Sequence, residues 1–193
     1  MDSQTMIALA KVGGAMALGF AAIGSALGTG TAGMAGVGAW KKCYLQGKSA
    51  PFILLVFIGA PLSQTIYGML LMGSINKICN IATYIPKEAI KAAKAAAKAA
   101  ESKDWIAQVP ADIHTVAQQA LADAVTFWPA MIAAGLIGGI AMGVSAWYQG
   151  KAGASGSDAL GETGQGLTNY LITLGIVETV ALFVMIFIGA AIK

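Results

Sequence analysis

The chain has 193 residues, of which 57% are hydrophobic and only 11% are charged. Together with a mean hydropathy of +0.71, this composition excludes an ordinary soluble domain and is typical of an integral, multi-pass membrane protein. The formal net charge is only +3, so we expect no nucleic acid partner.

The cysteine and histidine content gives no sign of a metal centre. Cys43 and Cys79 have no ligand-like spacing, and His114 is the single histidine of the chain. We therefore expect free thiols and a histidine on a helix surface. No cofactor is predicted.

The first predicted helix covers residues 12–39 and consists almost entirely of small and apolar residues. The segment before it lacks the basic region of a secretory signal, so we expect it to be retained. Small residues recur at every fourth position, and this spacing lets neighbouring helices approach closely in a membrane; they are Gly24, Gly28, Ala32 and Gly36. Aromatic and basic residues mark the membrane interface that follows; they are Trp40, Lys41, Lys42 and Tyr44.

The second predicted helix covers residues 51–75 and carries unusual residues at its centre. Pro61 removes one backbone hydrogen bond in the middle of the span. Ser63, Gln64 and Tyr67 place polar side chains at the same depth. Isolated serine and tyrosine residues usually bond to a neighbouring helix, but the amide of Gln64 is harder to explain by packing alone.

Residues 77–125 interrupt the membrane pattern. We predict two helices here, over residues 86–101 and 112–125, because alanine and lysine favour helix formation. Four lysines form one stripe on the first of them: Lys87, Lys91, Lys94 and Lys98. Such a stripe could bind anionic lipid, but the opposite face lacks large apolar residues, which favours a solvated helix. The role of this insertion is left open.

The third predicted span covers residues 130–148 and again has glycines at every fourth position: Gly135, Gly139 and Gly143. Trp147 and Tyr148 are expected at its far membrane interface. A polar, glycine-rich loop is predicted for residues 149–166.

The fourth span, residues 171–192, contains one acid, Glu178. A charged residue in the middle of a span costs a few kcal/mol on insertion scales. Such a residue usually binds or relays an ion, although a protonated acid bonded to a neighbouring helix is the alternative. Because a carboxylate that faces lipid must be neutral, Glu178 would be protonated or paired with a cation there.

The two halves of the chain repeat each other. At an offset of 115 positions, Gly24 and Gly28 correspond to Gly139 and Gly143. At an offset of 114 positions, Gln64-Thr65 corresponds to Glu178-Thr179. We therefore predict an all-α membrane protein with two tandem hairpins, residues 1–76 and 126–193, joined by the helical insertion 77–125.

These motifs resemble the duplicated proteolipid of V-type and A-type rotary ATPases, which is their K or c subunit. The resemblance rests on the segments around Glu178, from Pro61 to Tyr67, and from Gly135 to Gly143. It implies a non-catalytic subunit of a homo-oligomeric ring that turns against a stator and carries one ion per Glu178. It also implies an arginine-bearing stator subunit and central-stalk subunits as partners. The chain itself has no arginine: all twelve basic residues are lysines.

The resemblance also implies a set of ion ligands. The sodium-carrying members supply oxygens at the positions of Ala60 (its carbonyl), Ser63, Gln64 and Glu178, and Tyr67 closes the site. A further oxygen comes from a glutamine of the third helix, where we place Met142. A thioether is a poor ligand for a hard cation, so we expect protons as the carried ion, with sodium as the alternative.

Ring packing is expected to involve the glycines of the first and third helices: Gly24, Gly28, Gly139 and Gly143. We expect the plasma membrane of a prokaryote as the location. The resemblance implies that the loops within the two hairpins face the cytoplasmic stalk. The lysine counts, six in the insertion against four in the hairpin loops, favour the opposite orientation. Because the insertion is long and its lysines are interspersed with acids, we expect the orientation of the family. Two other classes of function remain: a small proton-coupled multidrug exporter, and a purely structural four-helix oligomer.

Overall fold

The computed structural model describes residues 1–192, and all regular secondary structure in that range is helical. The seven α-helices are α1 (Ser3–Leu45), α2 (Leu54–Gly59), α3 (Ser63–Ile78), α4 (Lys87–Ala99), α5 (Ala111–Val125), α6 (Trp128–Thr163) and α7 (Leu167–Ala191). A 3₁₀ turn, Ala60–Leu62, joins α2 to α3, so that the two form one span. Among the described residues, four spans are long and apolar enough to cross a membrane, which confirms the predicted fold class of an all-α, multi-pass membrane protein.

Helices α1 and α6 run parallel and form the most extensive contact between helices. Their glycines make this contact possible, since a methyl group on Gly24 would collide with the backbone of Gly143. An added methyl group would also collide at Gly13, which lies against Met131 near the beginning of both helices, and at Gly161, which lies against Ala39 near their ends. The close approach therefore extends along almost the full length of both helices.

The span formed by α2 and α3 packs on this pair from one side, together with α7. The buried clusters between these layers include Leu71 and Met142 near the middle, and Phe57 and Leu160 near the end of α6. Most of α7 is exposed in the single chain. Each chain therefore presents a large apolar surface to lipid or to other chains.

Helix α6 is much longer than the predicted third span. Residues 149–163, expected to be a polar loop, continue the helix without a break, and only a short connection precedes α7. The loop prediction is wrong because the glycines of this segment serve helix packing: Gly150 and Gly153 allow close backbone contacts with α1 and α2. Lys42 adds ion pairs of 2.6 Å with Asp158 and Glu162 near the end of the helix.

The insertion forms a small helical unit at the opposite end of the bundle. Helices α4 and α5 and the 3₁₀ turns beside them bury a shared apolar cluster that includes Ile85, Ala93, Val109 and Ala117. Contacts from α5 to α1 and α3 attach this unit to the bundle. The lysine stripe of α4 is exposed, as expected for a solvated helix face.

Candidate functional site

Glu178 lies near the middle of α7, eleven residues after Leu167 and thirteen before Ala191. At 1.5 Å per residue, the carboxyl is about 17 Å from one end of the helix and about 20 Å from the other. The acid is therefore at mid-membrane depth if α7 spans the bilayer. It is partly buried, and its exposed neighbours Ile176 and Val180 are apolar.

The proline of the second span shapes the facing side of the site. Pro61 has no N–H to bond to the carbonyl one turn back, and the chain forms the 3₁₀ turn Ala60–Leu62 at this point. The carbonyl of Phe57 lies close to Gly153, where an added methyl group would be 2.7 Å from its oxygen. One turn further on, the Ala60 carbonyl accepts a 3.1 Å hydrogen bond from the Ser63 hydroxyl.

A chain of hydrogen bonds joins three helices at the level of Glu178. The Tyr67 hydroxyl donates to Oε1 of Glu178 at 2.7 Å, and Nε2 of Gln149 donates to the other carboxyl oxygen, Oε2, at 3.5 Å. Gln149 also donates to the Leu174 carbonyl at 3.1 Å and accepts a 2.7 Å bond from Nε2 of Gln64. The sequence-predicted residues of α3 and α7 are thereby brought together, with a residue of α6 between them.

Ser63 completes the cluster on the α3 side. Its hydroxyl lies 3.2 Å from Oε1 of Gln64, in addition to its bond with the Ala60 carbonyl. The two glutamines are fully buried, whereas Ser63, Tyr67 and Glu178 are half-buried. The amides thus form the inner wall of the site, and the acid and the tyrosine lie toward its outer face.

Gln149 is the site residue that the sequence reasoning missed. The sequence predicts it as the first residue of a loop, but it lies inside α6 and contacts the acid. Met142, assigned from the sequence to the position of the third-helix oxygen, lies two turns earlier and packs in an apolar cluster with Ala17 and Leu71. That assignment is wrong. The signal that favours Gln149 is the run of small residues at helical spacing, which continues past it: Gly139, Gly143, Ala146, Gly150, Gly153, Ser157 and Gly161.

The glycines predicted to pack a ring lie between α1 and α6 of one chain. Gly24 faces Gly143, Gly28 faces Ala146, and Gly139 faces Met16. Their observed role is to bring the two helices of a single subunit together. A role of the same residues between subunits stays a prediction.

The chemistry of the site is that of polar groups linked by hydrogen bonds to one acid. The chain of bonds runs from the Ala60 carbonyl through Ser63, Gln64 and Gln149 to Glu178, and it contains several oxygens. Oxygen ligands of this kind suit hard cations. A half-turn of the Gln149 amide would exchange its nitrogen and oxygen, so that the oxygen would face Glu178.

Comparison with known proteins identifies the class to which the second hairpin is related. Residues 132–188 match the family model for the C subunit of ATP synthase. This region spans most of α6 and α7 and includes both Gln149 and Glu178. It is therefore similar to the non-catalytic proteolipid subunits of ATPase membrane sectors, which supports a role in ion transport. No curated protein matches the chain.

Proposed function

We propose that the protein is the ion-carrying subunit of the rotor ring of a V-type or A-type ATPase, with Glu178 as the carrier. The observation that carries this proposal is the contact of a mid-membrane acid with Tyr67 of the first hairpin and with Gln149 of the second. An acid that only holds two helices together needs a single hydrogen-bond partner on the neighbouring helix. Here two other helices, α3 and α6, each supply a polar side chain to the carboxyl of α7, in a region otherwise made of apolar residues and glycines.

Ion transport follows from the charge states available to Glu178. An ionised carboxylate in contact with lipid is strongly disfavoured. While the ring turns and Glu178 faces lipid, the acid must therefore be protonated or neutralised by a bound cation. Release requires a competing positive charge. The chain has no arginine, so we assign that charge to an arginine of a stator subunit, and torque transfer to central-stalk subunits. Each ion that crosses 100 mV exchanges about 2.3 kcal/mol.

We propose sodium as the carried ion, with the proton as the competing possibility. A proton requires only the acid and one hydrogen-bond acceptor. Two fully buried glutamines and a serine lie in the same hydrogen-bonded cluster as the carboxyl, and these polar groups are more than a proton needs. Gln149 weakens the reason that Met142 gave against sodium, because a half-turn of its amide would turn an oxygen of the third helix toward Glu178.

The structure of the site argues against an exporter. Drug sites are concave and bury most of a ligand against apolar and aromatic walls. The groups around Glu178 instead bond to one another at distances of 2.7 to 3.5 Å. That arrangement suits a single ion rather than a drug.

We also propose that the protein forms an oligomeric ring and that it lies in the membrane of a prokaryotic cell.

Reaction with a hydrophobic carbodiimide tests the proposal. The reagent attacks a protonated carboxyl in lipid, and we expect Glu178 to be its target. Labelling of one subunit should stop ATP hydrolysis by the coupled complex. Sodium at millimolar concentration should slow labelling, and more strongly at higher pH, where protons compete less.

Three outcomes would count against parts of this proposal. Labelling that sodium does not affect would make the proton the carried ion. A Glu178→Gln variant that still transports ions would remove the carrier role altogether. A purified protein whose mass is that of a dimer, rather than of a large ring, would favour the exporter.

A further inference from the structure

Lys151 lies at an unexpected depth on the exposed face of α6. It is only two residues beyond Gln149, which contacts Glu178, so its Cα is about 3 Å further along the helix axis. Another twelve residues, about 18 Å, separate it from the end of the helix at Thr163. If α7 spans the bilayer with Glu178 at its centre, this lysine, expected in a loop, lies close to the same depth.

The ammonium group of Lys151 is held by two aromatic rings rather than by an acid. Its Nζ lies 4.0 Å from the centre of the Trp147 ring and 4.9 Å from that of Tyr148. Both rings are themselves exposed, by 40% and 55%. Among the described residues, the ion pairs within 4 Å are those of Lys42. Cation–π contacts stabilise a lysine, but they leave its charge unneutralised.

The exposed face of α6 changes character at this point. Toward its beginning the exposed residues are apolar: Ile137, Ile140 and Val144. Toward its end they are polar or charged: Ser155, Asp158 and Glu162. Aromatic side chains followed by a lysine mark the boundary between lipid tails and headgroups.

The neighbouring helix α1 has its boundary much further along. Gly28 of α1 lies against Gly150, so Lys151 is nearly level with Thr29. The next charged residue of α1 is Lys41, twelve residues or about 18 Å beyond that level. The boundary between lipid tails and headgroups therefore lies closer to the centre of the bilayer on α6 than on α1.

We propose that Lys151, Trp147 and Tyr148 bind the phosphate of an anionic phospholipid, whose acyl chains lie along Ile140 and Val144. A lysine in the bilayer is tolerated where the membrane thins locally and a headgroup reaches it. The anionic phosphate neutralises the ammonium group, and the aromatic rings contact the glycerol region. The proposal requires only a membrane-spanning chain and holds whichever ion Glu178 carries.

A second copy of the chain is not a suitable partner for this lysine. In a ring, equivalent residues of all copies lie at one depth. Asp158 and Glu162 lie seven and eleven residues beyond Lys151, about 10 and 16 Å along the axis, and both already pair with Lys42. Glu178 lies at the right depth, but it belongs to the other layer of helices and bonds to Tyr67.

Native mass spectrometry of the intact assembly tests this lipid site. The assembly is purified with phosphatidylglycerol and phosphatidylcholine at equal amounts, and retained lipid is counted for the unmodified chain, Lys151→Gln and Lys41→Gln. We expect Lys151→Gln to weaken retention of phosphatidylglycerol about fivefold, the effect of one lysine charge at an anionic lipid surface. Phosphatidylcholine retention should not change, and Lys41→Gln should have a smaller effect.

Several outcomes would overturn the proposal. Equal losses in both variants would show an effect of net charge alone, and unchanged retention would show that Lys151 binds no lipid. Displacement of the lipid by millimolar inorganic phosphate would indicate a site for soluble anions.

A second measurement keeps Lys151 intact, in case its replacement prevents assembly. Trp40, Trp105 and Trp128 are replaced by phenylalanine, which leaves Trp147 as the single fluorophore. Brominated phosphatidylglycerol should quench Trp147 at a lower mole fraction than brominated phosphatidylcholine. Equal quenching by the two lipids would contradict the site.

Discussion

The amide of Gln64 donates a 2.7 Å hydrogen bond to the amide of Gln149, 85 positions further along the chain. Both side chains are fully buried. This bond joins the two hairpins beside the acid, because Gln149 also lies within 3.5 Å of Glu178. The proposed ion site is thereby shared between the two hairpins.

The first prediction concerns Gln149. Its replacement by leucine removes an oxygen from the site and leaves Gln64 without its buried partner. If sodium is the carried ion, we expect sodium protection of Glu178 against carbodiimide to be lost or to require at least about tenfold more sodium, as for the loss of a hydrogen bond in a charged cluster.

Two control variants belong with that experiment. Gln165→Leu changes a glutamine in the exposed connection before α7, and it should leave protection unchanged. Met142→Gln should not strengthen protection, because Met142 packs among apolar residues away from the oxygens. Stronger protection in Met142→Gln would restore the assignment of the third-helix ligand to that position.

The second prediction concerns Tyr67. Tyr67→Phe removes the 2.7 Å bond to Glu178 and keeps the ring. A hydrogen bond to a charged group contributes about 1.5 to 3 kcal/mol, so we expect the affinity for sodium to fall by about tenfold or more. Equilibrium binding of radioactive sodium to the purified assembly measures this. Tyr148→Phe is the matched control, and an equal fall in both variants would contradict a specific role for Tyr67.

The third prediction concerns the contact between α1 and α6. Gly24→Ala places a methyl group against the backbone of Gly143, whereas Gly19→Ala on the same helix meets no atom within 4 Å. We expect Gly24→Ala to destabilise the subunit by about 1 to 3 kcal/mol, the usual cost of overpacking. Gly19→Ala should be neutral or slightly stabilising, since alanine favours a helix.

Thermal unfolding in detergent, followed by circular dichroism, compares these two variants. If Gly19→Ala alone disrupted the ring and Gly24→Ala folded normally, the glycines of the α1–α6 contact would not be the ones that hold the subunit together.

The fourth prediction tests the length of α6. Ser155 lies in the part of the chain that the sequence predicts as a loop and the structure forms as helix. Ser155→Pro should therefore cost about 3 kcal/mol or more, since proline breaks a helix interior. Ser155→Ala serves as the control and should not destabilise the protein. The yield of folded protein and its melting temperature measure the difference, and equal stability of the two variants would support a loop.

The four spans and the position of the acid could be read from the sequence. Long apolar runs have few alternatives in a bilayer, because every backbone polar group must be satisfied within the helix. A single charge in such a run stands out since it is costly there. Glu178, Gln64 and Tyr67 could therefore be singled out from the chain alone, and the structure brings them within one hydrogen-bonded cluster.

Only the tertiary structure decided the course of residues 149–163, and with it the place of Gln149 and Lys151. Glycine and serine have low helix propensity, and the segment reads equally well as a loop. It is helical here because its glycines bring its backbone against α1 and α2, and packing of this kind outweighs local preference. The register of α6 against α7 then sets which side chain meets Glu178, and no local pattern in the chain specifies that register.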